Sequence, residues 1–197
     1  MPDAKLGAFA TWNPINVGIV DDGLGIHKET ASGDGELCGK ICEYVEKEAP
    51  TFLFVQFDDV DATGHSAGYG KERHLARITY TDGLIGKVVQ AYADAGIADD
   101  TLFLFTADHG GTGTSHGGWT DAEKYVMIAA AGKNVEHGEI GDVEVRDIAA
   151  IVLTGLGLES CQPATWTARV PSGLFVGVEA KERPVSQMVC SRHILQV

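Results

Sequence analysis

Two short segments of this chain concentrate the residue types that hold metal ions. The first reads Asp58, Asp59, Val60, Asp61, Ala62, Thr63, Gly64, His65. The second reads Ala107, Asp108, His109, Gly110, Gly111, Thr112, Gly113, Thr114, Ser115, His116. Each follows directly on an apolar run, TFLFVQF at 51–57 and TLFLFT at 101–106. A carboxylate and an imidazole four apart in a loop, Asp61 and His65, can close on one ion. Asp108 and His109 are adjacent, so their side chains can diverge and serve different faces or ions. Oxygen and nitrogen donors without sulfur suit Zn²⁺ or Mn²⁺, and carboxylate-rich settings also admit Mg²⁺ or Ca²⁺. Two such ions roughly 4 Å apart clamp the attacking and leaving oxygens of an in-line displacement. Asp or His behind a strand is often only a turn former or a helix cap. Both segments together, with His116 seven residues after His109, point instead to a joint site of Asp61, His65, Asp108, His109 and His116.

The elements around these segments must position them. Neither apolar run alternates with polar residues, which suits strands buried on both faces. If the two strands are parallel neighbours, both following loops reach one end of a sheet, where ligands gather in open α/β folds. Upstream, residues 7–12 and 17–20 read as short strands joined through Asn13-Pro14 and closed by Asp21-Asp22-Gly23. From Asp34 onward Leu37, Ile41, Tyr44 and Val45 recur at helical spacing until Pro50. A long helix is predicted over 72–95, capped by Gly96. Leu75, Ile78, Ile85, Val89 and Tyr92 form its apolar stripe. Asp82 falls on that stripe, which marks it as a buried, hydrogen-bonded carboxylate or one supporting the site from behind. Residues 126–131 read as another strand and 147–158 as a helix closed by glycine. Alternating strands and helices predict an α/β fold, a mostly parallel sheet with helices on both faces. No linker interrupts it, so 1–197 reads as a single α/β domain with 171–197 an unassigned C-terminal tail.

A length of 197 residues suffices for one such domain with a sizeable core. The formal net charge of −13 argues against a nucleic acid polymer as partner. An anionic substrate is compatible with that charge only if bound cations supply local positive potential. The four cysteines Cys38, Cys42, Cys161 and Cys190 form no CxxC pair, which speaks against a thiolate zinc site. They read as reduced, mostly core residues. The N-terminus lacks a cationic start followed by an apolar stretch, so no signal peptide is expected. No run approaches the ~20 apolar residues of a membrane helix. The chain reads as soluble, with its compartment open.

FVQFDDVDATGHSAGYG, the following long helix and DDTLFLFTADHGGTGTSHGG resemble the alkaline-phosphatase superfamily. The likeness is greatest to its bacterial type I phosphodiesterase/nucleotide pyrophosphatase branch, with sulfatases as near relatives. It continues through 126–131 and DIAAIVLTGLGL, covering roughly residues 8–169. The resemblance implies an alkaline-phosphatase-like fold and two divalent ions, Zn²⁺ or Mn²⁺ foremost. Asp61, His65 and His116 match the ligands of one ion, and Asp108 and His109 match two ligands of the other. The implied chemistry is hydroxyl attack on phosphorus, a covalent ester intermediate and its cleavage by water.

Members of the family carry an earlier strand ending in an aspartate that completes the second ion, then a Thr or Ser nucleophile. No segment here matches. IVDDG at 19–23 has no hydroxyl at suitable spacing, and Thr112, Thr114 and Ser115 read as turn residues. The chain therefore resembles the C-terminal two-thirds of such an enzyme, with its nucleophile unidentified. The expected function is metal-dependent hydrolysis of a small-molecule phosphate ester, either a phosphodiester or a nucleotide pyrophosphate. The alternatives are a catalytically silent metal-binding fragment and a sulfatase-type sulfate ester hydrolase. A lacking strand would leave a sheet edge exposed and favour a homo-oligomer that covers it.

Overall fold

In a computed structural model that describes residues 3–177, strand β1 (Leu6–Ala10) lies between β2 (His27–Thr30) and β3 (Phe52–Gln56). Both neighbours run parallel to it, with Gly7 facing His27 on one side and Leu53 on the other. As the middle strand, β1 buries Ala8, Phe9 and Ala10. Gly7 is small for a packing reason: a Cβ there would come within 2.7 Å of the Leu53 side chain. Helix α1 (Asp34–Glu48) buries Leu37, Cys38, Ile41 and Val45, the one-sided spacing of an amphipathic helix. Fully burying a side chain such as Leu37 or Ile41 stabilises by about 1.5–3 kcal/mol. The helix stops at Ala49, in the left-handed region at φ 46°, because Pro50 disfavours helical backbone before it.

After β3 come α2 (Asp59–Ala67) and the 23-residue α3 (Glu72–Asp94), and α3 packs on α1 and α2. Beyond its end Gly96 takes φ 72°, the expected terminator. These elements form one compact unit, Met1–Asp99 with Gly111–His116.

The second unit comprises Asp100–Gly110 and Gly117–Val197. Its strands β4 (Leu102–Thr106) and β5 (Ile128–Gly132) pair antiparallel, Leu104 opposite Ala130. Alternation along both strands sends Leu102, Leu104, Ile128 and Ala130 to a shared core with Ile151, Leu174 and Phe175. Ile151 belongs to α5 (Asp147–Gly155), and the short α4 (Asp121–Lys124) precedes β5.

The fold is mixed α/β with a parallel sheet, as the sequence predicts, though among the described residues that sheet has three strands. Several local expectations are corrected. Residues 17–20 are not a strand: Ile15–Ile19 form a π-helical turn, entered at Pro14, and β2 follows where none was predicted. Neither β3 nor β4 is buried on both faces. Phe54 is 40% exposed; among the described residues β3 pairs with β1 and β4 with β5. On α3 the buried residues are His74, Thr81, Leu84, Ala91 and Tyr92, whereas Leu75 is 54% and Ile78 43% exposed. Only Tyr92 survives from the expected stripe as fully buried, and Asp82 is exposed. The helix is rotated about its axis relative to the apolar pattern because Leu84 and its neighbours meet α1, with Cys38 Sγ 3.5 Å from the Leu84 carbonyl. Cys38, Cys42 and Cys161 are unpaired thiols, and Cys190 lies outside the described residues. Among the described residues no helix is long and apolar enough to cross a membrane.

Candidate metal centre

The Asp61–His65 pair sits on a helix, not in a loop. Helix α2 begins immediately after β3, and i,i+4 spacing sets both side chains on one face. Asp61 Oδ2 lies 3.3 Å from His65 Nε2. His116 joins them from the segment 111–116 of the same unit, its Nε2 3.9 Å from Asp61 Oδ1. One donor atom from each residue falls within 4.8 Å of the others. Two ligands held at ~2.0 Å by a tetrahedral ion stand about 3.3 Å apart, so the Asp61–His65 separation already matches.

The protonation pattern suits the same use. His65 Nδ1 is 2.9 Å from the Thr114 carbonyl. A carbonyl only accepts, so Nδ1 carries a hydrogen, and Nε2 is the ring nitrogen that faces Asp61 and His116. Backbone support of the distal nitrogen is the usual arrangement behind a metal-bound imidazole. Thr114 is placed by a tight turn in which Thr112 N–H donates to Ser115 O at 2.9 Å and Ser115 N–H to Thr112 O at 3.1 Å. Gly113 inside it adopts φ 59°. Thr112, Thr114 and Ser115 are thus turn residues, as their sequence suggests.

Two residues that the sequence did not single out order this centre. Asp34, fully buried at the start of α1, accepts the Asp58 N–H at 2.9 Å, the Asp59 N–H at 3.0 Å and the Thr11 hydroxyl at 2.7 Å. It therefore caps α2, whose own N-cap Asp58 makes no side-chain cap. Burial pushes the Asp34 carboxyl above the ordinary range, opposed by the Thr11 hydroxyl and the Asp58 amide. Asp59 in turn pairs with Arg77 of α3 at 3.2 Å, tying the first turn of α2 to the longer helix. The second residue is Tyr69, whose hydroxyl donates to Asp61 Oδ1. Its legible signal is the pair Gly64 and Gly111, small residues in both motifs that leave room for a ring.

Asp108 and His109 belong to the second unit, in the segment after β4. Their side chains do not diverge: His109 Nε2 lies 3.6 Å from Asp108 Oδ2. His109 Nδ1 meets the Gly110 carbonyl at 3.0 Å, which leaves Nε2 as the nitrogen beside Asp108. The Asp108 carboxylate is held by the His109 N–H at 3.0 Å. Gly110 is needed where the chain passes α4, since a Cβ would stand 2.0 Å from the Ala122 carbonyl oxygen. The Gly110 N–H donates to the Glu123 carbonyl, and the Glu123 side chain closes a capping box with Thr120.

Residues 12–154 match the family model described as type I phosphodiesterase / nucleotide pyrophosphatase. Among curated proteins, the chain is 27% identical to choline-sulfatase of Rhizobium meliloti over 139 residues, 66% of this chain and 27% of that protein. It is 31% identical to human iduronate 2-sulfatase over 74 residues, 32% of this chain and 14% of that protein. It is 26% identical to GPI ethanolamine phosphate transferase 1 of Chaetomium globosum over 168 residues, 73% of this chain and 18% of that protein. The chain thus spans less than a third of the length of each. Among solved structures, an inactive variant of murine ectonucleotide pyrophosphatase/phosphodiesterase 5 in complex with AMP aligns at TM-score 0.44 and 23% identity. That alignment covers 54% of this chain and 29% of the murine one.

Proposed function

The chain belongs to the type I phosphodiesterase / nucleotide pyrophosphatase family, and from that membership we propose that it supplies metal-binding residues for hydrolysis of a small phosphate ester. Asp61, His65 and His116 hold one divalent ion in this reading, with Zn²⁺ or Mn²⁺ the best matches to one oxygen and two nitrogen donors. Asp108 and His109 offer two ligands for a second. The observation that carries the reading is the convergence of the three donor atoms within 4.8 Å, backed by the hydrogen bond from His65 Nδ1 to Thr114. When bound, a divalent ion supplies Lewis-acid charge to an ester's oxygens, which an otherwise acidic chain of net charge −13 needs. The chain's own residues orient: Asp34 and Arg77 fix α2, and the 112–115 turn fixes His65.

Phosphodiesters and nucleotide pyrophosphates are the proposed substrates, consistent with the family's description. Two sulfatases among the relatives favour a second reading, a sulfate ester substrate. In this reading the family's nucleophile segment is not assigned within residues 1–197, and the residue that would attack is left open. The test is metal analysis of the purified chain, with zinc titration of the wild type and His65→Ala, followed by a panel of chromogenic phosphodiester, phosphomonoester and sulfate esters. Absence of stoichiometric metal uptake by the wild type would sink the metal reading. A sulfate ester turned over faster than every phosphate ester would favour the second.

A further inference from the structure

We propose that Tyr69 is the positioning residue of the Asp61–His65–His116 cluster: its phenol holds Asp61 Oδ1, so that Asp61 offers Oδ2, beside His65 Nε2, to a divalent ion. The inference rests on the reading that this cluster binds metal. Its basis is a ring fixed on several sides with a single polar atom delivered to one carboxylate oxygen.

The ring's seat is built from both motifs. A Cβ on Gly64 would come within 2.5 Å of a Tyr69 ring carbon, and a Cβ on Gly111 would do the same. The Tyr69 N–H donates to the Gly113 carbonyl at 2.8 Å, which ties the residue to the turn that also presents Thr114 to His65. The ring meets His65 edge-on at 5.8 Å and lies 5.2 Å from the His74 ring. His74 is buried on α3, and its Nδ1 accepts the Gly70 N–H at 3.3 Å, steadying the short connection that carries Tyr69.

The chemistry follows from the geometry. An ionised carboxylate has about four lone-pair sites on two oxygens. A donor on one oxygen fixes the rotation of the group and leaves the other to act as a single ligand. Here the held oxygen is Oδ1, and Oδ2 is the one 3.3 Å from His65 Nε2. Partners of this kind, one step removed from the ion, typically govern 10–100-fold of metal affinity. A ring that only filled space would have no need of its hydroxyl, and that difference can be measured.

The test compares the wild-type chain with Tyr69→Phe, which keeps the ring and deletes the hydroxyl. Zn²⁺ affinity is read by calorimetric titration, apo stability by thermal unfolding, and ligand geometry by the visible spectrum of the Co²⁺-loaded chain. The expected result is about a tenfold or greater loss of Zn²⁺ affinity, an altered Co²⁺ spectrum and an apo Tm close to wild type. Equal Zn²⁺ affinity with an unchanged Co²⁺ spectrum in Tyr69→Phe overturns the inference while leaving the metal reading intact. No Zn²⁺ binding by the wild type fails the metal reading itself. Should Tyr69→Phe not fold, Gly111→Ala displaces the ring with its hydroxyl intact, and unchanged Zn²⁺ affinity there overturns the inference equally.

Discussion

The Asp34 carboxylate accepts the backbone N–H of Asp59 at 3.0 Å across 25 positions of sequence, so the first residue of α1 caps the first turn of α2. Asp61, two residues further on, is aimed by a helix whose start is fixed from outside. Fold stability and site geometry therefore share one buried group. Asp34→Ala is expected to leave the Asp58 and Asp59 amides without their acceptor and to destabilise the first unit by about 1–3 kcal/mol. Chemical denaturation followed by circular dichroism measures it. A loss below ~0.5 kcal/mol would mean that water replaces the cap at little cost.

Asp34 also predicts a pH dependence. Burial raises its folded-state value above that of the unfolded chain. Between those two values the folded chain holds the proton and the unfolded chain does not, so this residue's contribution grows as pH falls through the window. The contribution is fully present below the unfolded value and lost as pH rises through the folded one. Asp34→Asn cannot titrate, so the stability of the wild type relative to this variant should rise as pH falls toward the ordinary carboxylate range. A gap that stays constant over that range would contradict the prediction.

Metal binding is expected to be unequal. Asp61, His65 and His116 form a three-residue group, whereas Asp108 and His109 supply only two donors. One Zn²⁺ should bind more tightly than any second, and His65→Ala should weaken that tighter site by at least ~10-fold. His109→Ala should leave it unaffected. Zinc at about 100 times its dissociation constant should add about 2.7 kcal/mol to unfolding, reversed by chelation. Two equally tight sites in titration would contradict the assignment.

Residues 1–197 alone are expected to turn over phosphodiester or sulfate esters poorly, even with metal supplied. Removing a nucleophile from a serine protease costs about 10⁶ in turnover, and the proposed reading assigns no nucleophile within these residues. Steady-state assay of this chain beside a longer one carrying the family's nucleophile strand is the check. Equal rates would mean that a nucleophile exists within 1–197, with Thr112, Thr114 and Ser115 the first to replace.

In the second unit, buried Asp147 at the start of α5 accepts the Glu144 N–H and the Arg169 N–H, each at 3.0 Å. Asp147→Ala should destabilise by about 1–3 kcal/mol through those two stranded amides. Hydrogen exchange should show the loss as faster exchange in α5 and at Arg169. Unaltered exchange at both would refute it.

By itself the sequence determined the residue types and their local spacing. DVDATGH after one apolar strand and ADHGG after another place carboxylates and imidazoles side by side, and the family is legible in those two motifs. Helices α1 and α3 are equally legible, since Pro50 and Gly96 act on the backbone of their own segment. Tertiary structure decided whatever depends on a distant partner. Periodicity says that α3 has an apolar face, yet contact with α1 selected Leu84 over Leu75 and left Asp82 in solvent. The fully buried carboxylates among the described residues, Asp34 and Asp147, look like any acidic residue near a helix start until the amides they receive are in place. Tyr69 is marked only indirectly, by the glycines of the two motifs: its role arises from Gly64, Gly111 and the Gly113 carbonyl meeting around one ring. The Gly111 and Gly113 contacts join Tyr69 to a segment more than forty residues away, and only folding brings them together.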